Sequence, residues 1–276
     1  ANCSVEYCLF EYCFHTSEGG ALYASLNGHL QLIGTSFRHC VTSSLAGAVS
    51  CTISSGVFKG VCFSDCASLE TASVQYDNVF HAALIKGSSK SPIEMTLTVC
   101  LQCPKNEVSF DESIAFWKSC YVSFYDNNMS YNKLRTKELL TIAENSIGTS
   151  FSRNNFAFNK VNSVLNMHKS IATETSNYVY NQHSDSKISK NVIANSMSIV
   201  IKDSVFLGNN HPDFSQTPNY ECIGCFFCSN SFDVGFDENC VSTLMLRKLD
   251  EAMCGAKTRA FTVLFPRERS LRLFLV

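Results

Sequence analysis

Short runs of β-branched and aromatic residues recur along the first 210 positions of the chain. Examples are residues 30–33, 95–99 and 197–201, which are bounded by Gly, Ser, Asn and Asp. Runs of this length and composition between turn-forming residues are typical of β-strands. The same stretch holds no capped apolar series with the i, i+3, i+4, i+7 spacing of an amphipathic helix. The pattern therefore predicts an all-β fold.

The chain also repeats itself at intervals of 25 to 28 residues, with one longer step of 37 residues between Phe63 and Cys100. Seven of the eight repeat anchors are aromatic, and all eight residues three positions later are Cys or Asn. The anchors are Phe10, Phe37, Phe63, Cys100, Tyr125, Phe151, Tyr178 and Phe206. The residues three positions later are Cys13, Cys40, Cys66, Cys103, Asn128, Asn154, Asn181 and Asn209. A repeat of this length predicts stacked structural units.

The residues inside each repeat distinguish between repeat architectures. A leucine-rich repeat would show recurring Leu, and a helical array would show amphipathic helices, whereas this chain shows short strands and recurring Asn. A coil with three short strands in each turn fits this pattern, with equivalent strands about 4.8 Å apart. The sequence thus predicts a right-handed parallel β-helix of about eight or more turns.

Equivalent side chains of stacked turns form columns in such a coil. The aromatic anchors are expected to point inward as one hydrophobic column. Asn at a corner can hydrogen-bond to the turns above and below and tolerates turn backbone angles. The four Cys residues at that position are predicted to be stacked core thiols, because parallel Cβ directions disfavour a relaxed disulfide between neighbours.

Two motifs resemble those of a known family. Residues 206–209 and 151–154 match an F-x-x-N repeat, and residues 19–22 match its partner motif, Gly-Gly-Ala followed by an aliphatic residue. Residues 46–49 form a degenerate second copy of the partner motif. The chain resembles the polymorphic outer-membrane protein type of repeat, which is also found in protist surface proteins. The resemblance implies a β-helical passenger or ectodomain that is linked to adhesion.

Two stretches depart from the repeat. The long step after Phe63 predicts an inserted loop around Gly87 to Pro92, because extending a loop costs little free energy. The net charge is −6 over residues 1–240 and +4 over residues 241–276, which predicts a boundary between a repeat domain and a cap or tail. Ser242 can cap a short helix that would cover the last turn, and an irregular or partly disordered tail is the alternative.

Composition restricts the possible partners and location. A formal charge of −2 supplies no basic field for nucleic acid, and no apolar run reaches the ~20 residues of a membrane-spanning helix. Fifteen cysteines favour an oxidising compartment, and the odd number leaves at least one unpaired within a monomer. We therefore expect an extracellular or cell-surface location and a host or cell-surface protein or glycan as partner.

Four cysteines near the end of the repeats have spacings that could hold zinc or an iron–sulfur cluster: Cys222, Cys225, Cys228 and Cys240. A disulfide-tied loop is favoured there because the chain is rich in cysteine, and no metal or cofactor is predicted. Cys100 and Cys103 have the spacing of a redox pair, but no thioredoxin-like βαβ pattern surrounds them. Structural positions in the ladder are therefore favoured for both.

Catalysis is the competing interpretation of this fold. Pectate lyases and polygalacturonases share the parallel β-helix of the pectin lyase-like fold and use clustered carboxylates. Asp111 and Glu112, like Asp237 and Glu238, would face opposite sides of a strand, and neither pair recurs one turn away with a third acid. No catalytic residue is assigned. The sequence favours a non-catalytic scaffold for adhesion or recognition, and a polysaccharide lyase or glycoside hydrolase is the alternative.

Overall fold

The computed structural model describes residues 2–44, 46–68, 82–87, 91–103, 114–117, 120–134, 138–143, 149–161, 163–167, 172–174, 176–179, 182–183, 193–195, 199–202, 205–207, 220–223 and 226–228. Side chains are described as far as residue 165, except for those of residues 117, 120, 138, 141–143 and 149.

Every regular element in these ranges is a β-strand. The strands are β1 (Cys3–Glu6), β2 (Leu9–Glu11), β3 (Phe14–His15), β4 (Leu22–Ile33), β5 (Ser36–Arg38), β6 (Val41–Thr42), β7 (Val49–Lys59), β8 (Cys62–Ser64), β9 (Ala67–Ser68), β10 (Ala83–Gly87), β11 (Ser91–Thr96), β12 (Val99–Leu101), β13 (Ile114–Trp117), β14 (Cys120–Tyr125), β15 (Asn128–Ser130), β16 (Glu138–Ala143), β17 (Thr149–Ser152), β18 (Asn154–Ala157), β19 (Lys160–Val161), β20 (Ser163–Met167), β21 (Ala172–Glu174), β22 (Ser176–Val179), β23 (Gln182–His183), β24 (Ile193–Asn195), β25 (Ile199–Lys202), β26 (Val205–Leu207), β27 (Tyr220–Ile223) and β28 (Phe226–Cys228).

These strands form parallel sheets whose neighbours come from successive turns of the chain. The large sheet has 14 strands, a second sheet has nine, and two small sheets have three and two. The nine-stranded sheet runs in the order β2-β5-β8-β12-β15-β18-β22-β26-β28. Its pairing is direct, with Phe10 opposite Phe37 and Phe37 opposite Phe63. This arrangement confirms the predicted all-β parallel solenoid.

The large sheet receives two strand segments from a turn. β4 and β7 are long strands that stay in this sheet over their whole length, and their register shifts between Leu26 and His29. In the next turn the two segments are separate strands, because β10 pairs with the first half of β7 and β11 with its second half. A short strand of the nine-stranded sheet then follows each second segment.

The hydrophobic core lies inside the coil and is built from stacked columns. Two columns from the large sheet are almost completely buried, and their members are at most 1% exposed. The first column is Val49, Ala83, Ile114, Leu140 and Leu165, and the second is Leu32, Phe58, Met95, Phe124 and Phe151. Burial of apolar surface on this scale, at about 25 cal/mol per Å², is the main stabilising contribution.

The nine-stranded sheet carries a third inward column, which begins with the predicted aromatic anchors. The rings of Phe10 and Phe37 are stacked with centroids 5.0 Å apart, and those of Phe37 and Phe63 are 5.4 Å apart. Cys100 follows Phe63 in register. Further along the same sheet Tyr178 pairs with Phe206, as the repeat alignment expects.

The predicted register is wrong in the two turns between Cys100 and Tyr178. Met129 and Phe156 continue the column there, instead of Tyr125 and Phe151. Phe151 is buried one corner upstream, opposite Phe124 in the large sheet, and Tyr125 lies next to Phe124 on the same strand. The error arose because an aromatic residue three positions before an Asn also occurs at the upstream corner of both turns, while the downstream column residue of the first turn is a methionine.

The predicted insertion near Gly87 holds only a few of the additional residues: five residues separate Gly87 from Ile93, whereas two separate their partners Ile53 and Gly56, and residues 88–90 lie outside the described residues. Gly87 ends β10, and Ser91 and Pro92 begin β11 in register with β14. Six residues separate β6 from β7, whereas 14 separate β9 from β10, so most of the additional residues precede β10. Local Gly and Ser content therefore located only the smaller part of the insertion, because strand pairing between turns decides which residues are extra.

The Gly-Gly-Ala motif occupies a definite place in the coil. Gly19 has a φ angle of 71°, and Ala46, one turn later, has 62°. The glycines that follow them leave no space for a Cβ atom. A Cβ added at Gly20 would lie 2.1 Å from the carbonyl oxygen of Gly47, and one added at Gly47 would lie 2.3 Å from a carbonyl oxygen of the following turn. The motif thus allows successive turns to approach closely just before the large sheet.

No helix in the part of the chain that the structure describes is long and apolar enough to cross a membrane. The predicted boundary near 241 and the cap or tail at 241–276 lie outside the described residues.

Candidate interaction surface at the corners of the coil

Each turn bends sharply on both sides of its strand in the nine-stranded sheet. At both corners one residue has a φ angle between 50° and 63°, in the left-handed region. At the upstream corner these residues are Tyr7, Gly34, Gly60, Leu97, Asp126 and Arg153, and at the downstream corner they are Tyr12, His39, Asp65, Gln102, Tyr131 and Phe158. Residues other than glycine rarely adopt this backbone conformation, so contacts with neighbouring turns must stabilise it. They do so by main-chain hydrogen bonds such as that from His39 N to Ser64 O, at 3.0 Å.

The residue after each left-handed position contributes to an inner ladder. The downstream ladder is Cys13, Cys40, Cys66, Cys103, Asn132 and Asn159, and the upstream ladder contains Asn127 and Asn154. In the downstream ladder Asn132 Oδ1 accepts a hydrogen bond from Cys103 N at 2.7 Å. Its Nδ2 donates to Cys100 O at 3.2 Å. Each buried Asn therefore satisfies a main-chain donor and a main-chain acceptor of the preceding turn.

Two of the predicted ladder residues lie elsewhere. Asn128 pairs with Asn155 in the nine-stranded sheet and belongs to neither inner ladder. Asn154 is in the upstream ladder, where its Oδ1 accepts from Asn127 N at 3.0 Å. The downstream ladder contains Asn132 and Asn159 in their place, while Asn181 and Asn209 lie outside the described residues.

Cysteine makes the same two kinds of hydrogen bond as asparagine in this ladder. The Cys66 thiol donates to the carbonyl oxygen of Phe37 at 3.4 Å, which is the equivalent of the carbonyl that Asn132 Nδ2 binds. The sulfur of Cys103 accepts from Cys66 N at 3.3 Å, in the way that Asn132 Oδ1 accepts from Cys103 N. This shared bonding explains why either residue type can occupy the same position of the repeat.

The ladder environment keeps its thiols protonated. Burial raises the pKa of Cys66 and of Cys103 well above the usual value, and a hydrogen bond to a neighbouring thiol adds to this, from Cys103 for Cys66 and from Cys100 for Cys103. The hydrogen bond to Cys66 and burial raise the pKa of Cys40, and burial raises that of Cys13. None of the four is in a disulfide. Because the thiolate is the reactive form of cysteine, these residues contribute packing and hydrogen bonds rather than chemistry.

The left-handed residues of the downstream corner directly precede the inner-ladder residues and lie on the outer surface of the coil. We refer to these six residues as the corner row: Tyr12, His39, Asp65, Gln102, Tyr131 and Phe158. Their spacing of about 4.8 Å makes the row about 24 Å long. Three aromatic members are exposed to solvent, by 73% for Tyr12, 48% for Tyr131 and 44% for Phe158.

Members of the corner row hold one another in place. The rings of Tyr12 and His39 are stacked with centroids 4.8 Å apart, and those of Tyr131 and Phe158 with centroids 5.1 Å apart. His39 Nδ1 lies 3.0 Å from Asp65 Oδ2. Side chains that are already ordered lose little conformational entropy when a partner binds.

The corner row combines two kinds of contact that protein interfaces use. Its aromatic ends offer flat apolar surface, and its polar centre offers hydrogen bonds and charge. Within the described residues the upstream corner carries no comparable row, since Gly34 and Gly60 interrupt it and Asp126 is engaged by Arg153 at 2.7 and 2.8 Å. Sequence analysis missed the corner row, although its signal is the residue directly before each downstream Cys or Asn.

The predicted cysteine metal candidates are only partly placed. Cys222 lies in β27 and Cys228 in β28, whereas Cys225 and Cys240 lie outside the described residues. Among the residues that the structure describes, no three His, Cys, Asp or Glu side chains are grouped to hold a metal ion.

In comparisons with known proteins, no family model, no curated protein and no solved structure matches the chain.

Proposed function

We propose that the protein is a non-catalytic scaffold, secreted or at the cell surface, which presents the corner row for adhesion or recognition. The observation that carries this proposal is the exposure of stacked aromatic rings on strained corners of a regular coil. Exposed aromatic groups in an ordered row are typical of the energetically important residues of interfaces. The solenoid supplies the rigid support that a binding row requires.

An extracellular or cell-surface location is part of the same proposal. Cys62 is disulfide-bonded, and structural disulfides persist mainly in oxidising compartments. The thiols of the inner ladder are compatible with such a compartment, because buried protonated thiols react slowly with oxidants.

A relationship to the polymorphic outer-membrane protein type of repeat also belongs to the proposal, as do a right-handed coil and its eight or more turns. The support is that the Gly-Gly-Ala and F-x-x-N motifs have definite structural roles in this chain. The first occurs where successive turns leave no space for a Cβ atom, and the second places an inward aromatic residue before a corner Asn.

A cell-adhesion experiment tests the function. The full chain is coupled to beads, and binding to cultured epithelial cells is measured before and after protease or glycosidase treatment of the cells. We expect saturable binding that falls at least about tenfold in the triple variant Tyr12→Ser, Tyr131→Ser, Phe158→Ser, because apolar anchors carry most interface energy.

The matched control replaces two exposed aromatic residues outside the row, Tyr7→Ser and Tyr23→Ser. This control should bind as the unaltered chain does. Absence of binding, or an equal loss in both variants, would contradict the proposal. Release of unsaturated or reducing sugars from polygalacturonate would instead favour the polysaccharide lyase or hydrolase alternative.

A further inference from the structure

The outer side of the downstream corner changes from apolar to basic along the coil. Two positions after each of its first three members, the corner row is flanked by apolar residues that pair in register: Phe14, Val41 and Ala67. Two positions after Tyr131 and Phe158 the flanking residues are Lys133 and Lys160, whose backbones also pair in register. The same three-residue pattern, an aromatic residue followed by Asn and Lys, thus occurs in two successive turns.

Alternating burial places the two rings and the two lysines on one surface. The inward neighbours of both lysines are at most 2% exposed: Asn132, Leu134, Asn159 and Val161. Lys133 is exposed and Lys160 is half-buried. Because successive side chains of an extended segment point to opposite sides, Lys133 lies on the same side as Tyr131, and Lys160 lies on the same side as Phe158. We refer to these four residues as the basic patch.

The basic patch is ordered by its repetition in two turns. The rings of Tyr131 and Phe158 are nearly parallel, with 9° between their planes. The backbones of Lys133 and Lys160 are one turn apart, or about 4.8 Å. Like charges in register on neighbouring strands repel each other. An anionic group between the two ammonium groups replaces this repulsion by attraction, so the arrangement favours an anionic ligand.

The positive charge of the repeat region is confined to this part of the chain. Residues 131–160 hold five Lys+Arg and two Asp+Glu, a net charge of +3. Residues 1–130 hold six Lys+Arg against 11 Asp+Glu, and residues 161–240 hold four against eight, so their net charges are −5 and −4. The patch therefore attracts anions locally, on a chain that is otherwise acidic up to residue 240.

We propose that the basic patch binds an acidic polysaccharide, a linear glycan that carries sulfate or carboxylate groups. A lysine ammonium is a compact charge that suits such groups, and the flat rings beside it offer apolar surface to the C–H groups of sugars. A glycan chain is narrow enough to follow one corner of the coil, whereas a nucleic-acid duplex or a bilayer also faces the acidic turns. Bilayers moreover require more cations, typically about four to eight. The inference rests on the proposed function, for which it names the class of partner.

Surface plasmon resonance on immobilised glycans tests the patch with the full chain. We expect saturable binding to at least one of heparin and chondroitin sulfate, and none to neutral dextran. Lys133→Gln, Lys160→Gln should weaken this binding at least about fivefold, because two exposed ion pairs are lost. Lys133→Arg, Lys160→Arg keeps both charges and should bind within about twofold of the unaltered chain. The matched control Lys59→Gln, Lys86→Gln removes the same charge from β7 and β10 of the large sheet and should also bind within about twofold.

The inference is overturned by absence of saturable binding to both acidic glycans, by equal binding to dextran, by an equal loss in the two glutamine variants, or by tighter binding to DNA, polyglutamate or phosphatidylserine vesicles. A cell experiment separates it from the proposed function. Binding of the bead-coupled chain to epithelial cells should be lost after heparinase and chondroitinase treatment. Unchanged cell binding would overturn the acidic glycan and leave the recognition scaffold intact, whereas binding to heparin without binding to cells would overturn only the proposed function.

Discussion

Asn132 provides a direct test of the inner ladder. Its fully buried amide satisfies Cys103 N–H and Cys100 C=O, and it donates a further hydrogen bond to Asn159 Oδ1 at 2.8 Å. Asn132→Leu keeps a similar volume but removes the acceptor of Cys103 N–H and the additional donor of Cys100 C=O, which stays paired with β15 in the sheet. At about 1–3 kcal/mol for the unsatisfied donor and about 1 kcal/mol for the lost hydrogen bond to Cys100, we expect a loss of about 3 kcal/mol in the free energy of unfolding.

Asn132→Cys should be much less harmful, because cysteine makes both main-chain hydrogen bonds elsewhere in this ladder. The weaker sulfur bonds should limit the loss to about 1–2 kcal/mol. The control Lys133→Leu places the same apolar residue at the exposed neighbouring position, where we expect a change below about 0.5 kcal/mol.

Urea unfolding followed by far-UV circular dichroism measures these differences. A loss of about 3 kcal/mol corresponds to a midpoint shift of about 1.5 M at an m-value of about 2 kcal/mol/M. A solenoid can unfold in parts, so amide hydrogen exchange at Cys103 supplies a local measurement. Exchange there should accelerate in Asn132→Leu and remain slow in Asn132→Cys. Equal stability and equal exchange in the two variants would refute the hydrogen-bond explanation of the ladder.

Three further predictions concern titration, close packing and surface charge. The raised pKa values of the ladder thiols imply that their contribution to stability is complete below the unfolded thiol pKa of about 8.5 and is lost as pH rises above it. Urea unfolding between pH 7.5 and 10 should therefore show that the free energy of unfolding declines as pH rises. Cys66→Asn should make this decline less steep by up to about 1.4 kcal/mol per pH unit, and an equally steep decline in the variant would contradict the prediction. Gly47→Ala should destabilise the fold by about 3 kcal/mol, because the added Cβ meets main-chain atoms. Gly56→Ala should cost only about 1 kcal/mol, because its Cβ meets mainly the Ile53 side chain. Thermal melting of both variants checks that Gly47→Ala is the less stable. Arg153→Ala breaks an exposed ion pair with Asp126 and should change the free energy of unfolding by less than about 1 kcal/mol in the same assay, so that a larger loss would show a structural role for this pair.

The interaction surface shows what pattern reasoning overlooks. The residues of the corner row vary between aromatic, acidic and amide types, so they do not appear as a repeat of residue identity. What they share is a backbone conformation and an outward direction, and both follow from the corner geometry. That geometry becomes visible only when hydrogen bonds between turns are known.

The sequence by itself determined the all-β solenoid and its period, because short strands, turn residues and corner Cys or Asn are local signals repeated in every turn. It also identified the aromatic column over Phe10, Phe37 and Phe63, where only one corner carries the motif. The tertiary structure decided which residues align in the middle turns, since an aromatic residue three positions before an Asn also occurs there at the upstream corner. Only stacking against the preceding turn distinguishes Met129 from Tyr125 and Phe156 from Phe151, because that choice depends on hydrogen bonds between residues about 27 positions apart in the chain.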